Sequence, residues 1–285
     1  MEPAAHILSC GKRLHLQHGP IDLIIGADGD RQHAFRAATE RFQTILTDLV
    51  SELPELRLPF THNVPPPKGA TALRMDQAVR PFIETAFVTR MAAVAGGVAD
   101  TVLNAMNVAD ISRAYVNNGG DIALHLTIGT NFTMAMAGHD GAELGSIKIN
   151  FDDPIRGIAT SGRHGRSQSR GIADSVTVLA HDAATADIAA TLIANRVSLL
   201  KHPAIIRQPA SDLDDNSDLG NLPVVTNVGH LMPHEVDQAL QSGRTQADTY
   251  IYRNMISGAA LFLQDQSVTT CPAQFSITQR TPHYA

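Results

Sequence analysis

The sequence predicts an α+β fold, a mixed β-sheet with packed helices. Three observations carry the prediction. Short runs of alternating apolar residues recur as hairpins, runs of helical periodicity lie between them, and near residue 180 a strand runs straight into an alanine-rich helix. Helices and strands interleave, as in an α/β protein, but the hairpins argue against a simple doubly wound sheet.

The elements follow in order. Lys12–Leu16 and Ile21–Ile25 alternate about the turn Gly19-Pro20 and read as a hairpin. Gly26-Ala27-Asp28-Gly29-Asp30 breaks that pattern, with Asp28 and Asp30 as turn and capping residues. Phe35, Ala38, Phe42, Ile45, Leu46, Leu49 and Val50 then mark a long amphipathic helix that stops before Pro54. Residues 59–69, with Pro65-Pro66-Pro67, are the most linker-like stretch. Helical character returns near Arg74, and Phe82 to Asn107 reads as a long helix interrupted at Gly96-Gly97. Ala114–Asn118 and Asp121–Ile128 read as strands about a glycine turn. Phe132–Ala137 and Leu144–Ile149 extend the run through Gly138-His139-Asp140-Gly141. After the strand Ser175–Ala180 and its helix come a polar loop at Asp212–Asn221, helices near His234–Ser242 and Gln246–Leu263, and a last strand near Phe275–Thr278. The expected organisation is a single domain over residues 1–285, with sub-lobes at about 1–70 and 71–285.

Composition narrows the function. With 285 residues, 44% of them hydrophobic and 18% charged, the chain can bury a substantial core. A net charge of −6 without any basic block argues against nucleic acid as a partner. No stretch approaches the ~20 apolar residues of a membrane span, and the first residues do not read as a secretory signal. Cys10 and Cys271 stand far apart and read as free thiols. These features predict a cytoplasmic protein whose partner is a small molecule. The alanine–glycine helices suit packing within one chain and packing across a homodimer equally well.

Three stretches carry candidate chemistry. In Tyr115-Val116-Asn117-Asn118-Gly119-Gly120-Asp121-Ile122 the paired glycines let a ligand approach the backbone, while Asn117, Asn118 and Asp121 offer hydrogen bonds. The alternative there is a plain strand–turn–strand. Thr160 to Gly171 gathers four hydroxyls, three arginines, three glycines and one histidine within twelve residues. Thr160, Ser161, Gly162, Ser167 and Ser169 could line an anion, Arg163, Arg166 or Arg170 could neutralise it, and His164 could move a proton. The alternative is a solvated surface loop. Third, Asp187 lies inside an alanine-rich helix, where its propensity is poor. With Thr191 one turn on it could offer two oxygens to Mg²⁺; otherwise it is a solvent-facing Asp beside a threonine bonded to its own helix. Asp182 reads as that helix's N-cap.

Taken in order, these segments resemble the ApbE superfamily, historically called thiamine-biosynthesis lipoproteins, whose best-understood members are flavin transferases. The resemblance rests on Ala93-Val94-Ala95-Gly96-Gly97 with Asp100, on Val116 to Ile122, and on Thr160-Ser161-Gly162. Its most specific part is Ser175-Val176-Thr177-Val178 followed by Asp182 and Thr185 to Thr191. It implies an ApbE-like fold in two intimately associated lobes. It also implies Mg²⁺ on Asp187 and Thr191, and FAD or FMN as ligand. Two features depart from the transferases: Gly96 stands where they have lysine, and the short Arg163–Gly171 loop replaces their HxxDPxTG-type segment. Ser167-Gln168-Ser169-Arg170-Gly171 and Gly229-His230-Leu231 instead resemble an uncharacterised ApbE-like branch.

The preferred expectation is therefore a protein that binds a phosphate-bearing, flavin-like or pteridine-like small molecule in cofactor metabolism. One alternative is a Mg²⁺-dependent FAD pyrophosphatase or FMN transferase, with His164 in place of the missing histidine. Another is a non-enzymatic accessory protein of pterin-type one-carbon cofactor biosynthesis.

Overall fold

The N-terminal hairpin forms as the alternation requires, with one strand added before it. In the computed structural model, which describes residues 2–84, 86–106 and 110–278, strand β1 (Ala4–Ile7) precedes β2 (Arg13–His18) and β3 (Ile21–Gly29). β3 continues through Gly26, where the sequence pattern breaks. A Cβ at Gly26 would lie 2.4 Å from the Tyr115 ring, so the glycine makes room for a cross-strand neighbour rather than ending the strand. The strand ends at Gly29, at φ +113°, where the register shifts. Asp30 then caps helix α1 (Arg31–Ser51), its carboxylate accepting the His33 N–H.

A short helix α2 (Leu53–Leu56) follows, with Pro54 in its first turn. The proline-rich stretch after it is not a free linker. The Glu52 carboxylate accepts the N–H groups of Lys68 and Gly69. Buried Arg90 donates to the carbonyls of Glu55 and Pro65 and pairs with buried Asp76 at 2.7 Å. Phe60 is buried beside the guanidinium groups of Arg80 and Arg90. Helix α3 (Ala70–Val79) carries Asp76.

The long helix expected over Phe82 to Asn107 is shorter, and Thr85 and Asn107 lie outside the described residues. A 3₁₀ turn at Arg90–Ala93, capped by Thr89, leads into helix α4 (Val94–Met106). Gly96 and Gly97 stay within α4, because the space beside them is occupied. A Cβ at Gly96 would lie 2.2 Å from the carbonyl oxygen of Ala183.

Strands β4 (Ile111–Asn118), β5 (Asp121–Leu126), β6 (Asn131–Ala137) and β7 (Glu143–Asn150) match the expected hairpins. Then come β8 (Gly157–Ser161), β9 (Ser175–Ala180) and helix α5 (Ala183–Arg196). Next are β10 (Ile205–Pro209) and β11 (Pro223–Val228). The two helices expected at the C-terminal end are one, α6 (Pro233–Tyr252). Gly243 does not interrupt it, since a Cβ there would strike Val197 and Leu261. The apolar run that follows is strand β12 (Gly258–Leu263), buried throughout, paired with β13 (Gln266–Thr270). β14 (Phe275–Ile277) ends the described chain.

Backbone contacts divide the chain into two compact units, each discontinuous in sequence. The first comprises Met1–Asn131, Asn150–Ala159 and Leu179–Ile188; the second comprises Phe132–Ile149, Thr160–Val178 and Ala189–Ala285. In the first, β1 to β5 lie antiparallel side by side in chain order, and β5 pairs with the start of β8 through Ile122↔Ile158 and Ala123↔Gly157. The inward residues Leu14, Leu16, Leu23 and Ile25 are buried, as are Ala34, Ala38, Phe42 and Ile45 of α1. In the second unit β9, β12 and β13 are neighbours in that order, β10 pairs with β11, and β14-β7-β6 form a small sheet. Helix α6 packs on β12 and β13 with Val236, Ala239, Leu240, Ala247 and Tyr250 buried. The architecture is α+β. Among the described residues no helix is long and apolar enough to cross a membrane, and Cys10 and Cys271 are free and exposed.

Candidate functional site

In the first unit the predicted residues converge on the opening turn of α4. The β4–β5 connection is a two-residue turn, with Gly119 at φ +66° and Gly120 at φ +114°. Such torsions suit glycine and the twist of a hairpin. Asn118 and Asp121 face each other as its closing pair. The Asn117 side chain accepts the Gly120 N–H at 2.8 Å. Asn118 is buried, and its amide donates to the Ala95 carbonyl at 3.1 Å. The next residue of α4, Gly96, donates its N–H to Asp187 Oδ2 at 3.0 Å. The hairpin and Asp187, far apart in sequence, thus meet at two consecutive residues.

The same contact works in reverse. Asp100, one turn along α4, accepts the N–H groups of Ala183 at 3.1 Å and Ala184 at 2.9 Å, the first residues of α5. Asp182 completes that cap by accepting the Thr185 N–H. Each helix therefore supplies the carboxylate that caps the other's N-terminus, where unpaired N–H groups and the helix dipole favour negative charge. Two glycines permit the approach: Gly96 beneath Ala183, and Gly157, where a Cβ would lie 1.9 Å from the Asp182 carbonyl oxygen. Burial pushes Asp187 up to about 7 against the amides of Gly96 and Ala95. It likewise pushes Asp100 up to about 7, with the neighbouring Asp182 adding to the effect. Asp187 is half-buried and is not the solvent-facing residue of the simpler expectation. Thr191, half-buried one turn along α5, shows no hydrogen bond to its own helix among the described residues, unlike Thr39 and Thr101.

In the second unit the polar loop is ordered around Asp174. Gly162 passes so close that a Cβ would lie 2.4 Å from the Asp174 carbonyl oxygen. Arg163 points at the Asp174 carboxylate, with Nε at 2.8 Å and Nη2 at 2.7 Å from Oδ1. His164 Nε2 lies 3.2 Å from the same oxygen, and the Gln264 backbone N–H donates to Oδ2. The His164 ring stacks on His139, with centroids 3.6 Å apart and planes 8° from parallel. Burial, followed by Arg163 and His139, lowers the His164 pKa against the opposing pull of Asp174. Arg166 and Ser167 are exposed. Ser169 is buried, its carbonyl accepting the Val225 N–H and its hydroxyl bonded at Gly171. Arg170 is half-buried and anchored through its backbone N–H to Asn195. Thr160 shares a 3.0 Å hydroxyl contact with Thr177, and Ser161 is half-buried. Thr160 and residues 164–167 are exposed, while the other residues of the loop are half-buried or buried.

Sequence reasoning placed Asp100 in a motif without seeing it as the centre of a hydrogen-bond network. His139 carried no signal beyond its turn.

A family model described as AbpE bacteria matches residues 5–269, and the chain belongs to that family. The resemblance to the ApbE superfamily is thereby borne out. Among curated relatives, a UPF0280 protein of Methanoregula boonei is 34% identical over 158 residues, 53% of this chain and 65% of that protein. A UPF0280 protein of Methanococcus vannielii is 40% identical over 117 residues, 39% of this chain and 47% of that protein. The chain thus spans from 47% to 65% of the length of these two relatives. The solved flavinyl transferase ApbE of Pseudomonas stutzeri, in its apo form, shares the fold at a TM-score of 0.53. The match covers 95% of each chain with 11% identity.

Proposed function

We propose that the chain binds a phosphate-bearing, flavin-like or pteridine-like small molecule beside the Asn118-Gly119-Gly120 turn. The reading rests on one observation: Asn118 and Asp187 are fixed to adjacent backbone groups of α4, which holds a bare glycine turn and a carboxylate in register. An exposed Gly119 leaves the backbone open to an anion.

Mg²⁺ fits this donor set. Asp187 and Thr191 are hard oxygen donors on one face of α5, and each Asp187 oxygen retains lone pairs beyond its amide bonds. Among the described residues, no three carboxylate, imidazole or thiolate groups gather into a metal site. Ligand phosphates and water would complete the coordination, as is usual for this ion. Once bound, the ion would neutralise pyrophosphate charge and hold Asp187 ionised.

The test is a titration of the protein with FAD, with and without Mg²⁺, following binding and any FMN and AMP formed. Mg²⁺-enhanced binding that weakens about tenfold in Asp187→Ala or Thr191→Ala, about 1.4 kcal/mol, is expected. FAD affinity unchanged in Asp187→Ala, or no binding under either condition, overturns the flavin reading.

A second reading, Mg²⁺-dependent FAD cleavage or FMN transfer, is favoured by the carboxylate-held imidazole of His164. The Pseudomonas stutzeri protein is named a flavinyl transferase, which supports the transfer half of this reading. Release of FMN and AMP separates it from simple binding. A non-enzymatic role in pterin-type cofactor biosynthesis remains the reading if FAD is neither bound nor cleaved.

A further inference from the structure

We propose that His164 and Asp174 form an acid–base dyad in which Nδ1 of His164 is the proton-accepting atom, Asp174 is the positioning residue and His139 is a stacking guide. The proposal deepens the catalytic reading above and rests on it only for activity.

Three features of the second unit support it. An ionised carboxylate only accepts hydrogen bonds, and Asp174 is held against the Arg163 guanidinium at 2.7 Å. The His164–Asp174 contact at Nε2 therefore places the ring proton on Nε2 and leaves the Nδ1 lone pair bare. Second, Asp174 is itself immobilised: Arg163 and His164 occupy Oδ1, and the Gln264 N–H occupies Oδ2. Third, the parallel contact with His139 at 3.6 Å restrains rotation of the His164 ring. A quarter of the His164 side chain, 25%, stays open to solvent.

The step is a simple transfer. An O–H bond breaks, its proton moves to Nδ1, and the electron pair stays on oxygen as the nucleophile. The resulting imidazolium is stabilised by the adjacent Asp174 carboxylate. The titratable and charged groups facing the ring are Arg163, Asp174 and His139. Burial, then Arg163 and His139, favour the neutral ring against the opposing pull of Asp174.

Nitrogen-15 NMR of the full chain labelled at histidine tests the dyad directly. The expected result at pH above 7 is a His164 ring protonated at Nε2. In Asp174→Asn the ring shifts to a mixture of tautomers, and in Asp174→Glu the Nε2–H form is regained. The His164 midpoint should rise in His139→Ala and fall in Asp174→Asn. A wild-type ring protonated at Nδ1 overturns the proposal without any variant, so misfolding of Asp174→Asn cannot rescue it. An unchanged tautomer in folded Asp174→Asn overturns it as well.

If the wild type cleaves FAD, His164→Gln should lower kcat about 100-fold with little change in KM. The acidic limb of the pH profile should disappear with it. Full activity in His164→Gln overturns the catalytic role. If the tautomer is as expected but FAD is not cleaved, the dyad stands and the flavin-cleavage reading fails.

Discussion

At the scale of single residues, the chain depends on positions where a side chain must be absent or a charge must be shared. Gly96 is one. A methyl group there would meet the Ala183 carbonyl oxygen at 2.2 Å, and backbone cannot move aside as a flexible side chain can. Gly96→Ala is expected to lose about 1–3 kcal/mol, read as a lower denaturation midpoint at constant m-value. Asp100 is another. Its pKa is raised from 3.8 to about 7, chiefly by burial. A carboxyl raised by folding favours the native state fully below its unfolded pKa, and that contribution is lost as pH climbs through the folded pKa. Asp187 shifts the same way. The melting temperature should therefore fall between about pH 4 and about pH 8, and Asp100→Asn should flatten that fall. A melting temperature that rises over this window would contradict the assignment.

At the scale of elements, the decisive contacts are those that tie one segment to another. Asn118 fastens the β4–β5 turn to α4. Asn118→Ala leaves the Ala95 carbonyl without that partner, and a loss of about 1–3 kcal/mol is expected in chemical denaturation. The proline-rich stretch is held by Arg90, whose removal leaves Asp76 buried with Arg80 as its remaining partner. Arg90→Ala should cost about 3 kcal/mol. It should also make residues 59–69 more susceptible to limited proteolysis than they are in the wild type. These elements show where sequence was readable. The β2–β3 and β4–β5 hairpins and α1 were legible because period-2 and period-3.6 patterns reflect one-sided burial. The tether on residues 59–69 was not, since its partners Arg90 and Glu52 lie outside the stretch. The final apolar run read as helix because β12 is buried on both faces and shows no alternation.

At the scale of the whole molecule, the first unit needs chain that arrives late. Residues 150–159 and 179–188 belong to it, and they include the Asp187 that caps α4 and the α5 amides that Asp100 caps. A fragment of residues 1–131 is therefore expected to lack the cooperative unfolding of the full chain by circular dichroism. A native-like transition in that fragment would show the reciprocal caps to be dispensable. Sequence by itself determined the α+β class, the family, and the residue types of the candidate site, because local periodicity and motif spacing are written along the chain. Only the tertiary structure decided what those residues do to one another. Asn118 and Asp187 meet on adjacent residues of α4, Arg163 pairs with Asp174, and His139 lies flat on His164. Hydrogen bonds and ring contacts depend on distances in space, and residues 91 positions apart, such as Gly96 and Asp187, leave no local pattern that reveals their contact.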